Sequence, residues 1–248
     1  MAFIEVKYKD FVYYEIEEFN DTELVKYFFT TRIGFSNEEF LKNISEIMNV
    51  PIKNIITLKQ IHGKDLLNID NTNKLKFAQE NIMEADGIIT NIKDLVILTF
   101  HADCVPVAFV DRSKKVIAVS HAGWKGTLKN ISGNTVEKMV EKYNSNPKDI
   151  LVAISPSIGS CCYEVGKEVY EKFNEEYNFV ENIFNIKNNK IYLDLWKTNE
   201  LQLLNKGILK ENIYTSNLCT SCNNNIFYSY RKEKGINRRM ASVMKLQI

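Results

Sequence analysis

Cys104 and His121 stand at the two ends of a predicted β-hairpin, where a thiolate and an imidazole can share one metal ion. Two apolar, β-branched runs, Val105–Val110 and Val116–Ser120, flank a polar turn at 111–115, a pattern typical of a hairpin. Pairing about the middle of that turn makes Cys104 and His121 cross-strand neighbours, with Cβ atoms about 5 Å apart. Zinc binds thiolates at about 2.3 Å and imidazoles at about 2.1 Å. The hairpin therefore predicts two ligands of a metal site.

The third ligand has few candidates, because the chain has only 3 histidines. His101 lies three residues before Cys104, and an odd separation in an extended strand without a bulge places side chains on opposite faces. His62 ends the run 55–62, in which alternate residues share one strand face. We therefore predict that His62, Cys104 and His121 hold a metal ion and leave a fourth position open, as in catalytic zinc sites. The alternative is a buried Cys104 and hydrogen-bonded histidines.

Other polar residues can bind an anion or move protons beside this metal. The glycine-rich turn Gly123–Gly126 precedes a predicted helix, so its N–H groups lie at the positive end of a helix dipole. Lys125 adds charge, and together they predict a phosphate site, although glycines at such turns often serve only the backbone geometry of the turn.

Asp86 and Asp103 are candidates for holding a ligating imidazole or for a general base, while the alternative is backbone capping. Guanidinium groups match phosphate, and the sequence alone does not choose among four candidates: Arg32, Arg231, Arg238 and Arg239.

The remaining cysteines form two short motifs. Cys219 and Cys222 make a C-x-x-C, but a structural zinc site needs a second such pair. Cys161 and Cys162 are adjacent, and adjacent side chains in a strand point in opposite directions. We therefore predict that these four are buried or turn-lining thiols.

The composition is that of an ordinary globular protein. The 248 residues are 45% hydrophobic and 25% charged, enough for a self-sufficient core. A net charge of +1 gives no overall field for nucleic acid or anionic membranes. No apolar run approaches the roughly 18 residues of a membrane span, and the N-terminal residues lack a signal-peptide pattern. We expect a cytoplasmic protein with reduced thiols and no nucleic-acid or membrane partner.

The elements that position these residues follow from hydrophobic periodicity. Besides the central hairpin, strands are predicted within 3–19 and at Leu24–Thr31, Ile55–His62, Leu66–Ile69, 85–90, Leu95–Phe100, Ile150–Ile154, Ile191–Leu193, Tyr214–Leu218, Phe227–Tyr230 and Ser242–Leu246. Ile55–His62 and Leu66–Ile69 are predicted to form a second hairpin.

Helices are predicted at Asn37–Met48 with a Ser36/Glu39 capping box, after 123–127 with the inner stripe Val136, Met139, Val140 and Tyr143, across Val165–Tyr177, and at Leu195–Lys206. The stretches 71–82, as a loop or short helix, and 179–189, as a loop, complete the chain. No linker divides it, so residues 1–248 are predicted to form one mixed α/β (α+β) domain with hairpin-rich sheets and flanking helices.

An ordered series of motifs resembles the laccase-domain family, formerly called multicopper polyphenol oxidases and now described as zinc-containing purine nucleoside phosphorylases. The motifs are Thr30-Thr31-Arg32-Ile33-Gly34, Lys59-Gln60-Ile61-His62-Gly63, Ala85-Asp86-Gly87, Ala102-Asp103-Cys104-Val105-Pro106-Val107, His121-Ala122-Gly123-Trp124-Lys125-Gly126-Thr127, Tyr163-Glu164-Val165-Gly166 and Cys219-Thr220. The resemblance implies a mixed α+β fold like that of CNF toxins and laccase-domain proteins. It also implies phosphorolysis of adenosine, inosine, guanosine and S-methyl-5'-thioadenosine, with deamination of adenosine to inosine, by a monomer or homodimer.

The resemblance implies the same metal ligands as the hairpin: His62, Cys104 and His121, holding zinc, with copper as the alternative. Catalytic roles are assigned to Cys104, Asp103 and Asp86, and substrate or phosphate binding to Arg32, Gln60, Gly123, Lys125, Gly126 and Arg231. Two other functions remain as alternatives. A copper polyphenol oxidase needs many imidazole ligands, and 3 histidines do not supply them. A non-enzymatic metal-binding protein would show no catalytic rate at all.

Overall fold

Two six-stranded sheets form the centre of the molecule. The computed structural model describes residues 3–20, 23–35, 39–73 and 83–247. In these residues the strands are β1 Phe3–Tyr8, β2 Phe11–Ile16, β3 Val25–Thr30, β4 Ile55–Ile56, β5 Leu66–Ile69, β6 Gly87–Thr90, β7 Val96–His101, β8 Val105–Asp111, β9 Val116–Ala122, β10 Ile150–Ile154, β11 Glu164–Val165, β12 Phe184–Lys187, β13 Lys190–Leu193, β14 Ile213–Thr215 and β15 Met240–Leu246. The first sheet has the order β1-β2-β3-β15-β7-β4 and the second the order β14-β10-β8-β9-β6-β5, while β11-β13-β12 form a small third sheet.

Except for the short helix α1 Glu17–Asn20, whose Phe19 packs between the two large sheets, the helices cover the outer faces of these sheets. These outer helices are α2 Phe40–Met48, α3 Trp124–Leu128, α4 Ile131–Tyr143, α5 Lys167–Glu176 and α6 Leu195–Asn205. Helix α2 packs through Ile44 and Met48 against the first sheet. Helices α4 and α6 pack through Met139 and Leu203 against the second. The mixed α+β architecture predicted from the sequence is confirmed, with layers in the order helix, sheet, sheet, helices.

Alternation along the strands divides the core between these layers. On β8, Val107 and Phe109 face the cluster under the helices, whereas Ala108 and Val110 face the cluster between the two sheets. This period of two is the expected consequence of a strand buried on both faces. The site described below is therefore built on strands that have no exposed face.

The central hairpin is confirmed, but its predicted register is wrong. Val105 pairs with Ala122 and Pro106 with His121 in the β8–β9 ladder. Cys104 lies just before β8 and is not directly opposite His121. A left-handed backbone at Asp103, with φ of 85°, turns the chain at this point, where an extended strand was assumed.

The predicted second hairpin does not exist. Strand β4 pairs in parallel with β7 of the first sheet, and β5 pairs in parallel with β6 of the second. The chain between them, residues 57–65, crosses from one sheet to the other. His62 lies in this crossing segment with φ of 58° and not at the end of a regular strand.

Several smaller predictions also differ from the structure. The helix predicted after 123–127 is two helices, α3 and α4, because Asn130 adopts φ of 59° between them and caps α4 through Gly133. Val140 is exposed and does not belong to the inner stripe. Residues 184–193 form the β12–β13 hairpin in place of part of the predicted loop. Phe227–Tyr230, predicted as a strand, forms none. The predicted capping residue Ser36 and most of 71–82 lie outside the described residues.

Candidate metal centre

His62, Cys104 and His121 converge at one end of the central hairpin. One donor atom from each residue lies within 4.8 Å of the others. His121 is held on β9, Cys104 just before β8, and His62 on the segment that crosses between the sheets. The structure thus brings together the three residues predicted as ligands, and their role as ligands stays a prediction.

Asp86 joins two of the three donors through a fully buried carboxylate. Its Oδ1 lies 2.9 Å from Nδ1 of His121. The same carboxylate accepts the backbone N–H groups of Ile61, His62 and Gly63 at 3.2, 2.9 and 2.6 Å. Asp86 therefore fixes the ring of His121 and the left-handed turn that carries His62. A carboxylate on the far nitrogen of a histidine is the usual support of a metal-binding imidazole.

Gly123 makes room for the donors. A Cβ atom at this position would lie 2.9 Å from Sγ of Cys104 and 3.2 Å from Cδ2 of His62. Gly126 is likewise crowded, since its Cβ would lie 3.0 Å from the carbonyl oxygen of Gly63. Gly126 lies inside α3, a helix of only 5 residues. Close packing thus explains the two glycines, and phosphate binding at this turn stays a prediction.

The charges of Cys104 and His121 favour each other. Burial by itself raises the pKa of Cys104, but the charge of His121 and hydrogen bonds from His121 and His62 outweigh it and lower that pKa. Burial lowers the pKa of His121, but the Cys104 thiolate and the Asp86 carboxylate raise it above its ordinary value. The centre therefore favours a thiolate beside a cation, which is the form of cysteine that binds metals.

The environment of His101, which is not a predicted ligand, differs from that of His62 and His121. Its Nε2 lies 2.8 Å from Oγ1 of Thr99, and its Nδ1 lies 3.2 Å from the carbonyl oxygen of Cys104. Burial lowers its pKa well below the ordinary value. Both ring nitrogens thus have protein partners, and His101 supports the backbone of Cys104.

A cleft of about 700 Å³ opens over the three donors. Apolar, aromatic and cationic side chains surround it: Leu58, Gln60, His62, Phe100, Ala102, Asp103, Cys104, His121, Trp124, Lys125, Tyr163, Tyr230, Arg231 and Arg239. Of the four candidate arginines, Arg231 and Arg239 are in this set. Three of the lining residues have no role predicted from the sequence, although two of them lie in the motifs that carry the family resemblance: Trp124, Tyr163 and Tyr230.

Asp103 connects the donors to the cationic wall of the cleft. Its side chain is only 7% exposed, and it accepts hydrogen bonds from Oγ1 of Thr220 and from the backbone N–H of Arg231, each at 2.7 Å. The Arg231 guanidinium donates to the carbonyl oxygen of Glu164 at 2.7 Å and lies 5.1 Å from the ring centroid of Tyr163. Asp103 therefore places Arg231 beside the donors.

Two predicted substrate residues have structural partners. Gln60 lines the cleft, but its amide forms hydrogen bonds of 2.8 and 2.7 Å to the carbonyl oxygen and N–H of Phe100. Arg32 is not among the described residues that line the cleft. It donates to the carbonyl oxygen of Asn224, pairs with Glu233 at 3.5 Å and lies 4.7 Å from the ring centroid of Tyr228. The predicted contact of Arg32 with phosphate is therefore not part of the function proposed below.

The remaining four cysteines also converge, although the side chains of Cys161 and Cys162 were expected to point in opposite directions. The sulfur atoms of Cys161, Cys162, Cys219 and Cys222 all lie within 4.8 Å of one another. The prediction assumed an extended chain at Cys161–Cys162. These residues instead form a turn, in which the N–H of Cys162 donates to the carbonyl oxygen of Gly159 at 3.0 Å, so adjacent side chains reach one point.

Comparisons with known proteins agree with this architecture. Residues 36–247 match the family model described as multi-copper polyphenol oxidoreductase laccase. Purine nucleoside phosphorylase YlmD of Bacillus subtilis is 34% identical over 208 residues, which are 82% of this chain and 75% of the relative. A purine nucleoside phosphorylase of Clostridium acetobutylicum is 34% identical over 242 residues, 94% of this chain and 96% of that protein.

A solved structure shows the same fold. The crystal structure of YlmD from Geobacillus stearothermophilus superposes with a TM-score of 0.87 at 26% sequence identity and covers 100% of this chain and 99% of that one. Within the described parts of the chain, none of the helices is long and apolar enough to cross a membrane. The chain is a member of the laccase-domain family, whose model carries the multi-copper polyphenol oxidoreductase description.

Proposed function

We propose that this chain is a zinc-dependent purine nucleoside phosphorylase. It cleaves adenosine, inosine, guanosine and S-methyl-5'-thioadenosine with phosphate, and it also deaminates adenosine to inosine. The observation that carries the proposal is the convergence of His62, Cys104 and His121 at the floor of a cleft of about 700 Å³ with aromatic and cationic walls. Relatives that are 34% identical bear the name purine nucleoside phosphorylase.

The donor set fits zinc. Two imidazoles and one thiolate are borderline-soft ligands, and three protein ligands with an open position are typical of catalytic zinc sites. The Asp86–His121 hydrogen bond of 2.9 Å holds one imidazole with a single nitrogen free. Zinc bound by His62, Cys104 and His121 would supply Lewis-acid polarisation at the reacting purine.

Phosphorolysis needs a phosphate placed against the sugar. The C1'–N9 bond breaks, a phosphate oxygen forms the new bond to C1', and the purine leaves with a proton. Lys125, Arg231 and Arg239 line the same cleft and supply the positive charge that binds phosphate. The rings of Trp124 and Tyr163 offer flat apolar surfaces for the purine.

Deamination needs a water molecule and a group that carries protons. Water adds at C6 of adenosine and ammonia leaves, so protons pass from the water to the amino group. Of the two candidate carboxylates, Asp103 lines the cleft, whereas Asp86 is fully buried behind His121. We therefore assign proton transfer to Asp103. Asp86 is assigned the positioning of His62 and His121.

The family description favours a second candidate, a copper-dependent polyphenol oxidase. Multicopper chemistry requires several imidazole-rich sites. The whole chain has 3 histidines, and two of them belong to the group at the cleft. The donor inventory therefore favours the phosphorylase.

Product analysis tests the proposal. Zinc-loaded protein is incubated with adenosine, with and without phosphate, and the products are separated by chromatography. We expect adenine and ribose 1-phosphate only with phosphate, and inosine in both cases. Cys104→Ala should abolish both reactions. Failure of the zinc-loaded wild type to release adenine or inosine would reject the proposed activity, and oxidation of phenols by the copper-loaded protein would support the second candidate.

A further inference from the structure

The four cysteines away from the cleft have sulfur–sulfur distances that one metal ion can bridge. Sγ of Cys222 lies 3.6 Å from Sγ of Cys161 and 3.4 Å from Sγ of Cys162, and all four sulfur atoms lie within 4.8 Å of one another. Four thiolates around zinc at about 2.3 Å would be separated by about 3.8 Å. The observed distances are close to this value.

The same distances differ from those of a disulfide. A disulfide joins its sulfur atoms at about 2.05 Å, and all five cysteines of this chain are free. Four sulfur atoms that meet at one point also cannot be explained by one bridge, since a single disulfide leaves two thiols unused. A tetrahedral set of four sulfurs is diagnostic of zinc or iron.

The backbone around 159–162 and 219–222 directs the four sulfur atoms toward one another. The turn after Gly159 brings Cys161 and Cys162 to the same side, and the backbone N–H of Gly159 donates to Sγ of Cys219 at 3.3 Å. Such N–H donors are the usual outer support of a metal-bound thiolate. Cys219 and Cys222 are separated by two residues, as in the C-x-x-C units of zinc sites.

We propose that Cys161, Cys162, Cys219 and Cys222 bind a structural zinc ion, separate from the metal centre at the cleft. The site would fasten two segments that are otherwise joined by short contacts, such as the isolated bridge between Ser157 and Cys219. All four protein ligands are present, so the site has no open position for a substrate and its role is structural.

The position of this site links it to the wall of the cleft. Tyr163, which lines the cleft, directly follows Cys162. Thr220, between the other two cysteines, donates to Asp103 at 2.7 Å, and Asp103 in turn holds the backbone of Arg231. A bound zinc ion would therefore fix the positions of Tyr163 and Asp103 relative to each other on one side of the cleft.

Metal content of the purified chain tests the proposal. Zinc and iron are measured per chain by mass spectrometry after expression under reducing conditions. We expect two zinc ions in the wild type, one in Cys104→Ala, and one in Cys161→Ser and in Cys222→Ser. These two cysteines are exposed, so serine should not disturb the core. Ser160→Ala, a neighbouring change that removes no thiol, serves as the matched control and should keep both ions.

The Cys104→Ala variant isolates the proposed site, because it lacks the thiolate of the cleft. X-ray absorption of its zinc should show four sulfur neighbours at about 2.3 Å. We also expect Cys222→Ser to lower Tm by about 5 °C or more. Absence of zinc from Cys104→Ala, iron in place of that zinc, or an intact mass that reveals a disulfide among these cysteines would overturn the proposal. None of these results depends on turnover of a nucleoside.

Discussion

The carboxylate of Asp86 lies 2.9 Å from Nδ1 of His121 and holds the turn of His62 through a second bond of 2.9 Å to that residue's backbone N–H. One fully buried side chain thus orients the ring of His121 and fixes the backbone that carries His62. This contact leaves Nε2 of His121 as the nitrogen available for a metal. The arrangement explains why residues far apart in sequence meet without lying on one strand.

We predict that Asp86→Asn weakens zinc binding at the cleft by about 10–100-fold. The amide keeps the size of the side chain but removes the charge that supports His121. Its NH2 group is a donor, so it cannot accept the N–H groups that one carboxylate oxygen of Asp86 accepts. Competition with a chromophoric chelator measures the affinity. An unchanged zinc affinity in a folded Asp86→Asn protein would contradict the positioning role.

Gly123→Ala should disrupt the centre. The added methyl group would lie 2.9 Å from Sγ of Cys104, so either the sulfur atom or the start of α3 must shift. We expect at least a ~10-fold loss of zinc affinity or of adenosine phosphorolysis, because ligand geometry tolerates only small displacements. Zinc titration and product assays measure the two effects, and the thermal transition shows whether the variant is folded. Wild-type zinc affinity together with a wild-type rate of phosphorolysis would contradict this prediction and show that the site accommodates the methyl group.

Arg231→Ala should raise the KM for phosphate by about 10-fold or more, because loss of a charge-assisted contact costs about 1.5–3 kcal/mol. Initial rates across a phosphate series measure the change. Arg32→Ala is the matched control, since that arginine pairs with Glu233 and is not among the described residues lining the cleft. We expect Arg32→Ala to lower Tm, because it removes this ion pair, and to leave the KM for phosphate nearly unchanged. A larger KM effect from Arg32→Ala than from Arg231→Ala would reverse the assignment.

In the metal-free protein, Cys104 should react as a thiolate under mildly acidic conditions. Although burial opposes it, the neighbouring His121 lowers the pKa of Cys104 to about 6, compared with about 8.5 for an ordinary thiol. A lowered pKa means that the thiolate persists as the pH falls, and that alkylation by iodoacetamide declines only near pH 6. Peptide mass spectrometry separates Cys104 from the other thiols. His121→Ala should move the midpoint upward, and a wild-type midpoint above pH 8 would contradict the pairing.

The sequence predicted the core elements of the fold better than their connections. The runs at 105–110 and 116–120 are apolar enough to identify β8 and β9, and the mixed α+β class followed from the alternation of such runs with amphipathic helices. The crossing of residues 57–65 between sheets was not predictable. A parallel partner for β5 is chosen by long-range pairing with β6, which no local pattern records.

For the candidate site, residue chemistry identified the donors but not the geometry that joins them. The prediction placed Cys104 opposite His121, whereas the structure uses left-handed residues at His62 and Asp103 to aim the side chains. Non-glycine residues rarely adopt such angles, so periodicity could not indicate them. The convergence of Cys161 and Cys162 was missed for the same reason, because a turn replaced the assumed strand.

The segment that carries His62 leaves the first sheet after β4 and enters the second at β5. His121 lies on β9 of the second sheet, and Cys104 directly precedes β8 of the same sheet. A cation bound by these three side chains would tie residues 57–65, one of several connections between the two sheets, to the second sheet. Metal binding would then slow amide hydrogen exchange along residues 57–65. Metal removal would allow local opening of this segment, while the strands on either side keep their slow exchange.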